Sequence, residues 1–129
     1  MERKELTTKY VQFILEEGIL IVVYGKDLGI TLDVAKYVVG KRLLFTEGRN
    51  YPALADITKN ASTNKEAREY LSSDAGMKGV LAGALQVDSA FSTIIGNFFL
   101  KIAFNKPTPT RLFSDWTSAL KWLEQFKEE

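Results

Sequence analysis

GVLAGALQVDSAFSTIIGNFFLKIAF, residues 79–104, carries two periodicities in one run, and its reading decides the fold. Residues 80–87 are small and apolar, short enough for a strand buried on both faces. Asp88 and Ser89 interrupt the run, and both residue types cap helices by accepting an orphan backbone N–H. Beyond them Phe91, Ile94, Ile95, Phe98, Phe99 and Ile102 recur at helical spacing as one broad apolar stripe. The expectation is a central strand running straight into its crossover helix.

Working outward toward the N-terminus, residues 58–63 (TKNAST) form a polar loop before a short helix with Ala67, Tyr70 and Leu71 inward. Thr63 and Glu66 have the spacing of a capping box. The preceding run, residues 51–57 (YPALADI), reads as a strand that tolerates Pro52 only near its beginning. Thr31 caps a helix reaching about Phe45, with Leu32, Ala35, Val38, Val39 and Leu43 on its apolar side. Lys41 and Arg42 near its end suit the helix dipole. Gly40 in its middle is read as a point of close approach to the sheet. Earlier still, residues 10–15 and 19–24 (ILIVVY) alternate or run β-branched around Glu16-Glu17-Gly18, the pattern of a hairpin. Residues 1–9 are expected to be a weakly ordered lead-in.

Toward the C-terminus, residues 105–110 (NKPTPT) stop the long helix. Arg111, Leu112 and Phe113 give a brief strand. Ser114 and Asp115 then cap a last helix with Trp116, Ala119, Leu120, Leu123 and Phe126 on one side and Trp122 at its edge. The order β-β-α-β-α-β-α-β-α predicts an α/β fold: one domain over residues 1–129, with a mixed sheet of about five strands and about four helices. Right-handed crossovers should follow an N-terminal hairpin.

Composition bounds the chemistry. A chain of 129 residues, 46% hydrophobic and 26% charged, has the balance of a folded globular domain. Seventeen basic against 16 acidic residues leave a net charge of +1, which argues against nucleic acid as a partner. The absence of cysteine and histidine excludes disulfides, thiolate chemistry and a Ser-His-Asp triad, and removes the commonest metal ligands. No cofactor or metal is expected. Asp88, Ser89, Ser92, Thr93, Asn97 and Lys101 break the one stretch apolar enough to suggest a membrane span. A cytoplasmic protein without an integral membrane segment is expected.

Together, the element order, YPALADI leading into a polar loop and helix, and the tail RLFSDWTSALKWLEQF resemble the STAS-like fold of sulfate-transporter and anti-sigma-antagonist domains. More closely, the chain looks like small bacterial STAS/SEC14-like proteins of unassigned function. The closer likeness rests on Asp56, Glu66-Ala67-Arg68-Glu69-Tyr70, Ile95-Gly96-Asn97-Phe98-Phe99, Leu112-Phe113 and Ala119-Leu120-Lys121-Trp122-Leu123. The resemblance implies a non-enzymatic module that binds a protein, a nucleotide or a lipid-like molecule. Anti-sigma antagonists carry a phosphorylatable Ser after the third strand, in a context like Asp-Ser-Ser-Gly. Here Asp56-Ile57-Thr58 stand in that place, and Thr58 and Ser62 are the hydroxyls available.

Two groups of candidate residues follow. Asp56, at the carboxyl end of its strand, either orients a ligand or braces the next loop. Thr58, Lys59, Ser62 and Thr63 are either routine turn residues or an anion-binding or phospho-acceptor loop. Arg68 could clamp an anion or pair with Glu69 or Asp74. The second group is the helix expected over residues 90–104. Leu100 and Phe104 lie away from the main stripe, so Phe91, Ile95, Asn97, Phe98, Leu100 and Phe104 are candidates for an interface or ligand groove. The leading function class is an interaction or regulatory module working on another protein or as a homodimer. The alternative is a carrier or sensor of a small apolar or lipid-like ligand. An enzyme, resting on Asp56, Lys59 or Tyr70, is the weakest class.

Overall fold

The computed structural model describes residues 3–88 and 108–128 of the chain. Lys4–Thr7 (β1), Val11–Glu16 (β2) and Ile19–Tyr24 (β3) form an antiparallel meander. The β2–β3 turn is two residues long, with Glu17 at φ 51° and Gly18 at φ 79°. Two left-handed residues in succession match the right-handed twist of the flanking strands, which is why so short a turn suffices here. Gly29–Ile30 (β4) precedes Leu32–Phe45 (α1), and Tyr51–Asp56 (β5) follows. Ser62–Thr63 (β6) leads into Lys65–Leu71 (α2), then Val80–Gln86 (β7). Thr110–Phe113 (β8), Trp116–Leu123 (α3) and a 3₁₀ turn at Glu124–Phe126 complete the described residues.

The six-stranded sheet runs β1-β2-β3-β5-β7-β8, and every pairing from β3 onward is parallel. It is the mixed sheet expected from the alternation of strands and helices. Residues 80–86 are the strand read from the opening stretch, inserted between β5 and β8. The β5–β7 register shifts between Tyr51 and Ala53, at Pro52, which has no N–H to contribute to a ladder. β4 and β6 form a separate parallel pair that ties the approach to α1 to the approach to α2.

Both faces of the sheet are buried, and strand alternation sorts side chains between them. On one face Val11, Phe13, Leu15, Leu20 and Val22 pack with Val34, Ala35, Val38 and Phe45 of α1 and Ala67 of α2. The Phe13 and Phe45 rings stack at 5.6 Å. On the other face Ile14, Ile19, Ile21, Leu54, Ala82 and Ala84 meet Ala119 and Leu123 of α3. The alanines of β7 and α3 leave room for that helix to lie close on the sheet. Asp115 caps α3, its Oδ1 accepting from the Ser118 N–H at 2.7 Å.

Four expectations need correction or relocation. Residues 1–9 are not simply a loose lead-in, because β1 pairs with β2 from Lys4↔Leu15 to Thr7↔Gln12. All four of its side chains are exposed, so KELT carries no alternating apolar signal. The cap of α2 is Asn64, whose Oδ1 accepts from the Ala67 N–H at 2.9 Å. Thr63 is taken into β6 and instead donates its hydroxyl to the Ile30 carbonyl. Gly40 faces open space: among the described residues nothing lies within 4 Å of the Cβ it lacks. It therefore does not mediate close packing. The helix expected over residues 90–104, with Phe91, Ile95, Asn97, Phe98, Leu100 and Phe104, lies outside the described residues, so three α-helices are described where about four were expected.

Candidate functional site

Asp56 closes β5 at the carboxyl end of the parallel strands and is only 6% exposed. Its Oδ1 accepts from the Thr58 backbone N–H at 3.0 Å and from the Thr58 hydroxyl at 2.6 Å. Its Oδ2 accepts from the Trp116 indole N–H at 3.0 Å. A short acidic side chain after an extended residue naturally turns back onto the amide two positions on. Here the second oxygen adds a link across 60 residues, to the first residue of α3. Both carboxylate oxygens are engaged within the protein, the arrangement expected if Asp56 braces the loop.

The loop after Asp56 is pinned along its length. The Asp27 N–H donates to the Lys59 carbonyl, Asn60 Nδ2 donates to Asp27 Oδ1, and the Ser62 N–H donates to the Leu28 carbonyl. Lys59 and Ser62 are exposed on this loop. Arg68 is half-buried on α2 and donates from Nη1 to the Thr63 carbonyl at 3.1 Å. Asp56 and Thr58 are thus brought into contact, and Arg68 reaches the end of the loop. Lys59 and Ser62 point to the surface, and the five do not converge on one recess. Beside Asp56 in the β5–β7 register, Gln86 holds a buried Oε1 without a hydrogen-bond partner among the described residues.

A recess lies elsewhere, on the α1 face of the sheet. A cavity of about 130 Å³ is lined by Val22 and Tyr24 of β3, Val38 and Arg42 of α1, Ala55 of β5 and Leu85 of β7, among other residues. Its wall is almost wholly apolar. The β-branched and small residues leave it unfilled, because Ala53, Ala55 and Gly83 put little volume where β5 and β7 face the helices. None of Asp56, Thr58, Lys59, Ser62 or Arg68 lines it.

Arg42 is the residue that sequence reasoning missed. Read as a complement to the helix dipole, it stands four residues after Val38 and three after Val39, on the buried side of α1. That position on the apolar stripe was the available signal. Its Nη1 donates to the Gly76 carbonyl at 3.1 Å and its Nη2 to the Lys78 carbonyl. Burial pulls its pKa below the usual arginine value, while the nearby Tyr24 and Tyr70 hydroxyls act the other way. Burial likewise pushes Tyr24 above the ordinary phenol value, partly offset by the Arg42 charge. At neutral pH the pair is a guanidinium cation beside a neutral phenol.

Gly76 is held by geometry as well as by that hydrogen bond. A Cβ there would fall 2.1 Å from the Tyr70 carbonyl oxygen and 2.8 Å from the Leu71 backbone, so only glycine fits beneath α2. Among the described residues no group of three or more His, Cys, Asp or Glu could hold a metal ion. No described helix is long and apolar enough to cross a membrane.

None of the curated proteins matches this chain. Among solved structures it is similar to an uncharacterised protein of the DUF3478 family from Shewanella loihica PV-4, described as having a SpoIIAA-like fold. The match covers 95% of this chain and 92% of that one, with a TM-score of 0.52 at 15% sequence identity. At that identity the likeness establishes the fold: a SpoIIAA-like, STAS-like arrangement, as the element order implied. Residues 13–127 match a family model described as Domain of unknown function (DUF7793), and with nearly the whole chain matched, the protein belongs to that family.

Proposed function

We propose that this protein is a non-enzymatic interaction module, acting on another protein or on a second copy of itself. The observation that carries this reading is the engagement of Asp56. At the strand ends where open α/β sheets bind their ligands, the carboxylate is occupied by Thr58 and Trp116. A carboxylate held by three donors serves as a brace, and the loop around it presents a fixed surface. Elsewhere, at the end of α1 and on β1, the exposed apolar side chains Leu44, 75% exposed, and Leu6, 38% exposed, supply contact area of the kind an interaction module uses. In this reading Thr58 and Ser62 remain the hydroxyls through which phosphorylation would act. Ser62 is the more accessible, whereas Thr58 is half-buried with its hydroxyl on Asp56.

A second reading, carriage or sensing of a small apolar ligand, is favoured by the cavity on the α1 face. Native mass spectrometry on protein purified gently from its own host separates the two. A homodimer, or a complex of fixed stoichiometry with another protein, is the expected result. A monomer with a reproducible small-molecule mass would give the second reading priority, and a bare monomer would overturn both.

A further inference from the structure

The cavity on the α1 face is almost wholly apolar; among its described lining residues the polar side chains are Arg42, Tyr24, Ser72 and Thr110, and of these Arg42 alone is charged. Arg42 spends two of its five N–H donors on the carbonyls of Gly76 and Lys78, which hold the side chain in place. Those carbonyls carry no formal charge. Among the described residues no carboxylate forms an ion pair with Arg42, and its other electrostatic neighbours are the neutral phenols of Tyr24 and Tyr70. A partly desolvated guanidinium with no counter-ion among the described residues, positioned by backbone and adjoining an apolar hollow, is a site for an anion with an apolar body.

We propose that this cavity binds a small amphipathic monocarboxylate, its hydrocarbon portion among Val22, Val38, Ala55 and Leu85 and its carboxylate on Arg42 and the Tyr24 hydroxyl. The size of the ligand follows from the volume. A cavity of about 130 Å³ is close to the roughly 150 Å³ apolar cavity that accepts benzene, so the body has about six carbons. The charge follows from Arg42 being the single cation among the described lining residues. A monocarboxylate is neutralised by one guanidinium, whereas a phosphate dianion would bring a second charge against an apolar wall. This inference rests on the second reading above, that the cavity holds a ligand.

The test uses the whole chain and two matched probes, hexanoate and hexan-1-ol, titrated by two-dimensional NMR with shifts followed at Val22, Val38 and Ala55. Hexanoate is expected to bind at least about tenfold more tightly than the alcohol, equivalent to roughly 1.4 kcal/mol. Arg42→Met should erase that preference, so that hexanoate binds no more tightly than hexan-1-ol. Because Arg42→Met also removes the hydrogen bonds to Gly76 and Lys78, Ala55→Leu supplies a second variant. It fills the cavity without touching Arg42 and should abolish binding of both probes. Equal binding of acid and alcohol to the unaltered protein overturns carboxylate recognition and leaves the carrier reading standing. Failure of both probes to bind overturns the two together. Binding undiminished in Ala55→Leu places the probes outside this cavity and overturns the assignment.

Discussion

Asp56 shows how one residue can be legible in kind and still ambiguous in role. Its type and its position at a strand end mark it out, but a carboxylate that turns onto its own loop and one that faces a ligand have the same local sequence. What separates them is Trp116, 60 residues away, and no local pattern joins those two positions. Arg42 is the converse case. Its helical position identifies the buried side of α1, yet a cation on an apolar stripe was assigned to the helix end, where cations are common. If Asp56 is a brace, Asp56→Ala leaves the indole N–H and the Thr58 amide without their acceptor in a partly buried setting. The variant should lose about 2–3 kcal/mol of stability, measured by urea denaturation against the unaltered chain. A loss below about 0.5 kcal/mol, ordinary for a surface substitution, would mean that the carboxylate does not hold the loop, and would return Asp56 to the list of ligand contacts.

At the scale of elements, the strands and helices with a strong period were readable and the weakly patterned ones were not. α1 and α3 carry apolar residues at three- and four-residue spacing, and β3 is apolar throughout and β2 apart from Gln12 and Glu16, because both sheet faces are covered. The two-residue strands β4 and β6 have no period to read, and their pairing moved the cap of α2 from Thr63 to Asn64. Gly40 marks a different limit. A glycine inside a helix signals either close packing or a tolerated cost, and only the surroundings distinguish them. With open space beyond it, Gly40→Ala should stabilise the protein by up to about 1 kcal/mol, the difference in helix propensity. Thermal unfolding of the variant checks this. A fall in melting temperature would show that the position makes a contact the open surroundings do not contain.

For the whole molecule, the alternation of strands and helices was enough to place β3, β5 and β7 in one parallel sheet, because crossover handedness and short connections leave few other arrangements. The edge beyond β2 was not legible. β1 contributes no buried side chain, so it is invisible to any argument from hydrophobic pattern, yet it decides which strand ends the sheet. Without it, the edge would be VQFILE, four of whose six residues are apolar and buried. Such an edge invites pairing with another chain. β1 replaces it with Lys4 and Glu5, and charges gather there: Arg3 lies 3.3 Å from Glu5 and 3.8 Å from Glu16, and Lys4 donates to the Phe45 carbonyl at 2.8 Å. Removing residues 1–9 should therefore cost little in the core but promote association through β2. The expected result is a truncated protein that keeps its far-ultraviolet circular dichroism at micromolar concentration and scatters light progressively as concentration rises, where the unaltered chain does not. If the truncated chain stayed as dispersed as its parent, the charged strand would be a passive addition to the sheet, and protection of its edge would have to come from the twist of β2 itself.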